Sequence, residues 1–200
     1  MNFALPPTLY KHLHRLAWFA VVLAFGVIVF GAFVRLSNAG LSCPDWPTCY
    51  GRASWPAANE TVDHAATAIR PLEIHKAWRE QLHRMLAGAL GAMVFALALI
   101  AARKRKLGIA RICVASALIA LAIPLYMRGQ YGAALALAAC GEAILLFAAL
   151  RWDNHDLSRA TAITLAVIVM QALLGMWTVT WLLKPIVVMS HLLGGMLTFA

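Results

Sequence analysis

The 200-residue sequence is too apolar for a water-soluble fold of its size, since 62% of its residues are hydrophobic and only 12% are charged. A soluble domain carries about 25% charged residues, and the mean hydropathy here is +0.77, so lipid must cover much of the surface. The formal charge of +9 comes from basic residues at the ends of apolar runs. They form no basic stripe with interleaved aromatics, which argues against nucleic-acid binding.

The apolar runs, taken in chain order, predict an all-α, polytopic membrane helical bundle of about six spans, the last one truncated. A helix needs roughly 20 apolar residues to cross the hydrocarbon layer, and four runs approach or reach that length: 16–34, 85–102, 132–150 and 160–183. A shorter run covers 112–127. The last run, 186–200, stops with no charge or cap after it, as a truncated span would. An outer loop is expected at 38–79.

Basic residues predict the orientation, because loops on the cytoplasmic side of a membrane retain Lys and Arg. Lys11 and Arg15 place the N-terminus inside, and the basic cluster at 103–106, an even number of crossings later, agrees with this. The 38–79 loop then faces outward. We therefore expect a multi-pass protein of the bacterial inner membrane, in contact with membrane lipid.

Two cysteines, Cys43 and Cys49, lie in the expected outer loop. Two prolines and an aspartate between them favour a tight turn that brings the sulfurs together, and an oxidising compartment would make the pair a disulfide. A structural role is preferred to a redox role. Cys113 and Cys140 lie in predicted spans, where a thiol behaves as a small apolar group, and we assign them no function.

Two of the seven histidines, His83 and His191, lie about one helical turn inside the outward ends of different spans. An ionisable residue in a span is costly unless it is paired or bound, and two imidazoles at matched depth suit the axial ligation of a haem iron. Two unrelated interhelical hydrogen bonds would explain them equally well. The other histidines lie in polar segments and loops and are interpreted as solvated.

Three charged residues accompany the histidine pair. Glu80 shares a helical face with His83 and would orient a ligand or move a proton, or it is simply an acid favoured by the helix dipole. Arg35 and Arg84 lie at the same outer level and would bind haem propionates or lipid headgroups. Four glycines were expected to leave a slot for a flat macrocycle: Gly88, Gly91, Gly194 and Gly195.

Four segments, in the same order, resemble the haem A synthase family. They are Gly31-Ala32-Phe33-Val34-Arg35-Leu36-Ser37 with the loop 39–51 that follows, Glu80-Gln81-Leu82-His83-Arg84, Gln171-Ala172-Leu173-Leu174-Gly175-Met176-Trp177-Thr178-Val179, and His191-Leu192-Leu193-Gly194-Gly195. The resemblance identifies 1–200 as a membrane domain similar to the N-terminal four-helix half of that family. Its spans would lie near 16–34, 85–102, 160–183 and 186–200, with an inserted hairpin near 109–151.

The resemblance also implies a function: oxidation of the methyl group of haem O to the formyl group of haem A, for terminal oxidase assembly. By this carry-over His83 and His191 ligate the haem iron, Glu80 is the catalytic acid, and Cys43 with Cys49 form the loop pair. Haem O is the expected substrate in this half, and a haem b is expected in a second half beyond this sequence. Haem O synthase is an implied partner, and a homo-oligomer stays open.

Other classes of function stay open at this point. A bis-histidine b-type electron-transfer cytochrome would use the same histidines but needs no acid beside them. A membrane thiol–quinone oxidoreductase would use Cys43 and Cys49, although the pair lacks C-x-x-C spacing and no second outer pair is present. A transporter is supported only by the number of helices and by Glu142, an acid within a span.

Overall fold

A computed structural model describes residues 7–57, 71–153 and 155–199. Six helices follow in chain order: α1 Pro7–Leu36, α2 Ile74–Ala102, α3 Gly108–Met127, α4 Tyr131–Arg151, α5 Ser158–Thr180 and α6 Pro185–Leu197. Within the described ranges the only strand-like pairing is the isolated bridge between Cys49 and Arg52. The all-α prediction is therefore confirmed, while His64 and part of the expected outer loop lie outside the described residues.

Helices α1 to α5 are each long and apolar enough to cross a membrane, and α6 is apolar but only 13 residues long. The chain is thus a multi-pass membrane protein. α3 and α4 occupy the segment where a hairpin was expected. α2 begins at Ile74, well before the apolar run predicted from 85, because its first turns are polar and carry no hydropathy signal. The predicted loop 38–79 is therefore shorter at its C-terminal end, because residues 74–79 are helical.

Helix α1 ends in a Schellman motif, which leads the chain into the cysteine loop. The N–H of Ala39 donates to the Val34 carbonyl at 3.0 Å and that of Asn38 to the Arg35 carbonyl at 3.2 Å, which satisfies carbonyls left without a helical partner. Asn38 takes the left-handed conformation, with φ 51°, that this motif requires and that asparagine tolerates. The same motif ends α3 at Gly129, which has φ 75°.

The chain forms two compact units whose boundaries fall inside α1, α2 and α5. The first unit comprises residues 1–20 and 91–169 and contains the α3–α4 hairpin. Gly141 of α4 lies so close to α3 that an added Cβ would stand 2.7 Å from the Ala115 carbonyl oxygen. Small residues let helices approach closely in lipid, and others continue this buried face: Ala122, Ala134 and Ala138.

An ion cluster in the same unit joins two interhelical loops. The Arg105 guanidinium donates to Ser158 Oγ at 3.0 Å, to Asp156 Oδ1 at 2.9 Å and also to Asp153. The hydrogen bond from Arg105 lowers the pKa of Asp153. Burial acts to raise the pKa of Asp156, but its hydrogen bonds to Arg105 and Ser158 outweigh burial and the pKa is lowered. The cluster therefore ties the loop between α2 and α3 to the loop between α4 and α5.

The second unit comprises residues 21–90 and 170–200. It contains the predicted ligand histidines, Glu80, both predicted arginines and the cysteine pair, whereas Gly91, which was expected to line the slot, belongs to the first unit. Part of its core is a buried cluster beneath the cysteine loop: Cys43, Cys49, Tyr50 and Ala77, with Leu72 packed against them.

Candidate functional site

The two predicted ligand histidines each lie against a glycine of a neighbouring helix. An added Cβ on Gly31 of α1 would stand 2.8 Å from Cε1 of His83, on α2. The corresponding distance from Gly175 of α5 to Cε1 of His191, on α6, is 3.3 Å. In the second unit, α1 with α2 and α5 with α6 therefore each place a histidine ring against the backbone of a glycine.

Each imidazole has a buried nitrogen without a geometrically well-formed hydrogen bond to the described residues, although the Gln171 backbone lies near the His191 ring. Nδ1 of His83 and Nδ1 of His191 have no hydrogen-bond partner among the described residues, and the same holds for the buried Oε1 of Gln171. Leaving a buried polar atom unpaired costs about 1–3 kcal/mol. The structure places the predicted pair in the same unit, His83 on α2 and His191 on α6.

An aromatic wall adjoins His83. The Phe30 ring is stacked on the imidazole, with centroids 6.5 Å apart and planes 30° apart. The indole of Trp78 lies 6.4 Å from the same phenyl ring. The surroundings of His83 are thus apolar and flat-sided, as a planar apolar ligand requires.

The glycines that contact the histidines are not those expected from the sequence. Gly88 has nothing within 4 Å of an added Cβ, and Gly91 faces Ile168. Gly194 does matter to the site, because a side chain there would collide with the Gln171 amide. Gly31 and Gly175 carry no local signal of these contacts, although both lie in segments that resemble the haem A synthase family.

The Glu80 carboxylate is buried and bound on both oxygens. Oε2 accepts hydrogen bonds from the backbone N–H groups of Ser42 at 2.6 Å and Cys43 at 2.9 Å. Oε1 accepts one from Nη2 of Arg84 at 2.5 Å. Backbone amides and a guanidinium together stabilise the ionised carboxylate. Glu80 therefore fixes the cysteine loop to α2, directly above the turn that carries His83.

Arg84 has the same orientation toward the loop. Its Nη1 donates to the backbone carbonyls of Asp45 and Thr48, each at 2.7 Å, while Nη2 binds Glu80. Both terminal nitrogens of this predicted propionate ligand are thus bonded to protein acceptors. The other predicted ligand, Arg35, lies exposed in the last turn of α1.

The cysteine loop is tightly organised. Cys43 and Cys49 form a disulfide, as predicted. The Asp45 carboxylate accepts hydrogen bonds from the N–H of Tyr50 at 2.6 Å and of Gly51 at 2.9 Å, and Gln81 donates from α2 to the Ala53 carbonyl at 2.8 Å. The loop is therefore held in a fixed position against the first turns of α2. Cys113 and Cys140 are free thiols.

The donor set fits a haem better than a bare metal ion. No group of three or more His, Cys, Asp or Glu side chains able to hold a metal ion occurs in the described part of the chain. A haem iron needs only two protein ligands, because the porphyrin supplies the rest, and paired histidine is one of its established ligations.

Comparison with known proteins identifies the family. The model of the family described as cytochrome oxidase assembly protein, COX15-CtaA, matches residues 14–138 and 126–200. The chain is 34% identical over 186 residues to a protein of Shewanella oneidensis named Heme A synthase, and the match covers 90% of this chain but 42% of that relative. The chain thus spans less than half the length of this curated relative. No solved structure matches significantly. Since the family model covers nearly all the described helices, the chain belongs to the COX15-CtaA family of cytochrome oxidase assembly proteins.

Proposed function

We propose that this chain is the haem-O-binding half of a haem A synthase, an oxidoreductase that converts the methyl group of haem O to the formyl group of haem A. The observation that carries the proposal is the pair of imidazoles, His83 and His191, each over glycine backbone and each with an unpaired buried nitrogen. Family membership and the name of the Shewanella relative support it.

In this proposal His83 and His191 would hold the haem iron. Gly31 and Gly175 let the two imidazoles sit close to the helix backbones. Phe30 provides an apolar surface beside His83. The bound haem would supply both the redox-active iron and the methyl group that is oxidised.

Glu80 is the proposed catalytic acid. It lies one turn before His83 on α2, and its carboxylate is the only carboxylate among the described residues of the second unit that is nearly inaccessible to solvent. A buried carboxylate held by N–H donors has a fixed position, so it can hold or move a proton at a defined place. Arg84 and the two loop amides bind both carboxylate oxygens and so fix the place where that proton would be held.

Location and partners follow from the same proposal. The cysteine loop would face the outer side of a bacterial inner membrane, where its disulfide is stable, with the N-terminus in the cytoplasm. Haem O synthase would supply the substrate, and a second half would hold a haem b. We infer that α3 and α4 are an inserted hairpin within the four-helix half formed by α1, α2, α5 and α6.

Pigment analysis tests the proposal. The chain is expressed in cells that make haem O, purified in detergent, and its haem is extracted and identified by mass spectrometry. Haem O bound to the chain, lost in His83→Ala and in His191→Ala, is the expected result, and haem A beside it would indicate turnover. Haem B alone would favour a b-type cytochrome. Absence of haem would leave the thiol oxidoreductase and transporter classes.

A further inference from the structure

Arg79 is a cation of the second unit that was not among the predicted site residues. It lies four residues before His83 on α2, so the two side chains share a helical face about one turn apart. Its guanidinium carbon lies 5.2 Å from the centroid of the Phe33 ring and 5.7 Å from that of Trp78. The cation therefore lies over Phe33 and Trp78. Trp78 also belongs to the aromatic wall beside His83.

This placement uses the flat face of the guanidinium and leaves its edge available. Stacking on an aromatic ring engages the π-face, whereas the N–H groups lie in the plane and point outward as a fork that matches a carboxylate. Nε of Arg79 is buried and has no hydrogen-bond partner among the described residues. A buried charged donor without an acceptor is costly, so an acceptor at this edge, best an anion, would be stabilising.

Arg84 differs from Arg79 because its terminal nitrogens already have hydrogen-bond acceptors in the protein. Arg84, on the next turn of α2, has both terminal nitrogens bonded to Glu80 and to loop carbonyls. Arg35 lies four residues after Gly31 on α1, as Arg79 lies four residues before His83 on α2. Because Gly31 contacts His83, both arginines stand about one turn beyond the histidine level, toward the cysteine-loop ends of their helices.

We propose that Arg79 binds a carboxylate of the porphyrin whose iron is held by His83 and His191, through its planar N–H edge. This assignment rests on the proposed haem site and adds to it the residue that fixes which edge of the macrocycle faces the cysteine loop. A carboxylate at the edge of the guanidinium would satisfy the unpaired Nε and would keep the cation stacked on Phe33 and Trp78.

Binding of hemin and of hemin dimethyl ester to the haem-depleted chain in detergent tests this assignment. The two probes share iron and macrocycle, but the ester has no charged carboxylate. Arg79→Gln is expected to weaken hemin binding by roughly 10-fold or more, the size of a lost charged hydrogen bond, and to change ester binding by less than about twofold. Arg79→Lys, which keeps the charge but not the fork, should lie between wild type and Arg79→Gln for hemin. Arg128→Gln, an exposed cation of the other unit, should bind both probes as wild type does.

The outcomes separate this inference from the proposed function. A wild-type chain that binds neither probe with a bis-histidine spectrum would overturn both. If wild type binds both probes and His83→Ala loses both, the haem site stands. In that case an equal loss of hemin and ester in Arg79→Gln, or no loss of either, would overturn the role of Arg79 alone and indicate that it binds a protein group.

Discussion

Glu80 and Arg84 form a buried ion pair one helical turn apart, with Oε1 and Nη2 separated by 2.5 Å and side chains only 5% and 12% exposed. Each partner also binds the cysteine loop, Glu80 through backbone N–H groups and Arg84 through backbone carbonyls. The pair thus links the loop to the helix that carries His83. A displacement of the loop would therefore also displace the turn of α2 that carries His83.

Removal of Arg84 should destabilise the protein strongly. Arg84→Gln leaves a buried carboxylate without its countercharge, which costs about 3–5 kcal/mol. We expect a clearly lower midpoint of thermal unfolding in detergent, and partial recovery in the double variant Glu80→Gln/Arg84→Gln, where no buried charge remains unpaired. Arg128→Gln is the control and should stay within about 0.5 kcal/mol of wild type. Additive losses in the double variant would show that the two side chains act independently.

Replacement of Glu80 alone should affect turnover more than haem retention. Glu80→Gln keeps the size and one oxygen acceptor for the loop N–H groups, but it removes the charge and the proton-transfer capacity. We expect bound haem O with little haem A formed in a protein that contains its second half. The ratio of haem A to haem O, measured by mass spectrometry, decides the matter, with Glu73→Gln as a control at a more exposed acid. A ratio of haem A to haem O equal to that of wild type would show that Glu80 only anchors the loop.

The sequence predicted the spans and the histidine pair because both have local signals. Long apolar runs give the helices, and an imidazole in such a run is conspicuous. The start of α2 at Ile74 was missed because its polar turns lie next to the cysteine loop, where amphipathic side chains need no lipid. The disulfide was predicted because the short turn between the cysteines is itself a local signal.

The contacts of Glu80, Arg84 and the glycines could not be predicted in the same way. Glu80 binds backbone N–H groups of residues 37 and 38 positions away, and backbone groups leave no trace in a sequence. The helices are apolar around their whole circumference, so no periodicity indicates which face turns toward a neighbour. For that reason Gly88 and Gly31 were indistinguishable before the structure placed Gly31 at His83.

The disulfide should stabilise the loop and, through it, Glu80. A cross-link between cysteines with a sequence separation of 6 removes loop entropy worth roughly 2 kcal/mol. We expect Cys43→Ser/Cys49→Ser to unfold at a lower temperature and to retain less haem, since Cys43 N–H also holds Glu80. Alkylation of wild type should reach these two cysteines only after reduction. Cys113→Ser, which removes a free thiol, is the control, and equal alkylation with and without reductant would contradict the pairing.

The Arg105 cluster should make stability depend on pH in acid. The pKa values of Asp153 and Asp156 are lowered in the folded protein, so their contribution is present above the ordinary aspartate pKa of about 4 and is lost as pH falls through the lowered values. Arg105→Gln should therefore unfold at a lower temperature than wild type at pH 7, and the difference should shrink below about pH 4. Lys106→Gln, an exposed cation of the same loop, should show no such convergence. A difference independent of pH would assign the role of Arg105 to packing.

The contact between Gly31 and His83 gives the sharpest test of the site. A methyl group at residue 31 would stand 2.8 Å from Cε1 of the imidazole. Gly31→Ala must therefore displace the His83 ring, and this changes the position from which the ring would bind the iron. We expect the haem content per polypeptide, measured by the pyridine haemochrome spectrum, to fall several-fold, since displacement of one axial ligand by a few tenths of an ångström already weakens a metal site. Gly26→Ala on the same helix and Gly88→Ala on α2 meet nothing within 4 Å and should be neutral or stabilising by up to about 1 kcal/mol, because alanine favours the helix. Gly175→Ala would place a methyl group 3.3 Å from Cε1 of His191, and its haem content should lie between that of Gly31→Ala and that of the two neutral variants. Full haem content in Gly31→Ala would mean that His83 is not held against α1 when the ligand is bound.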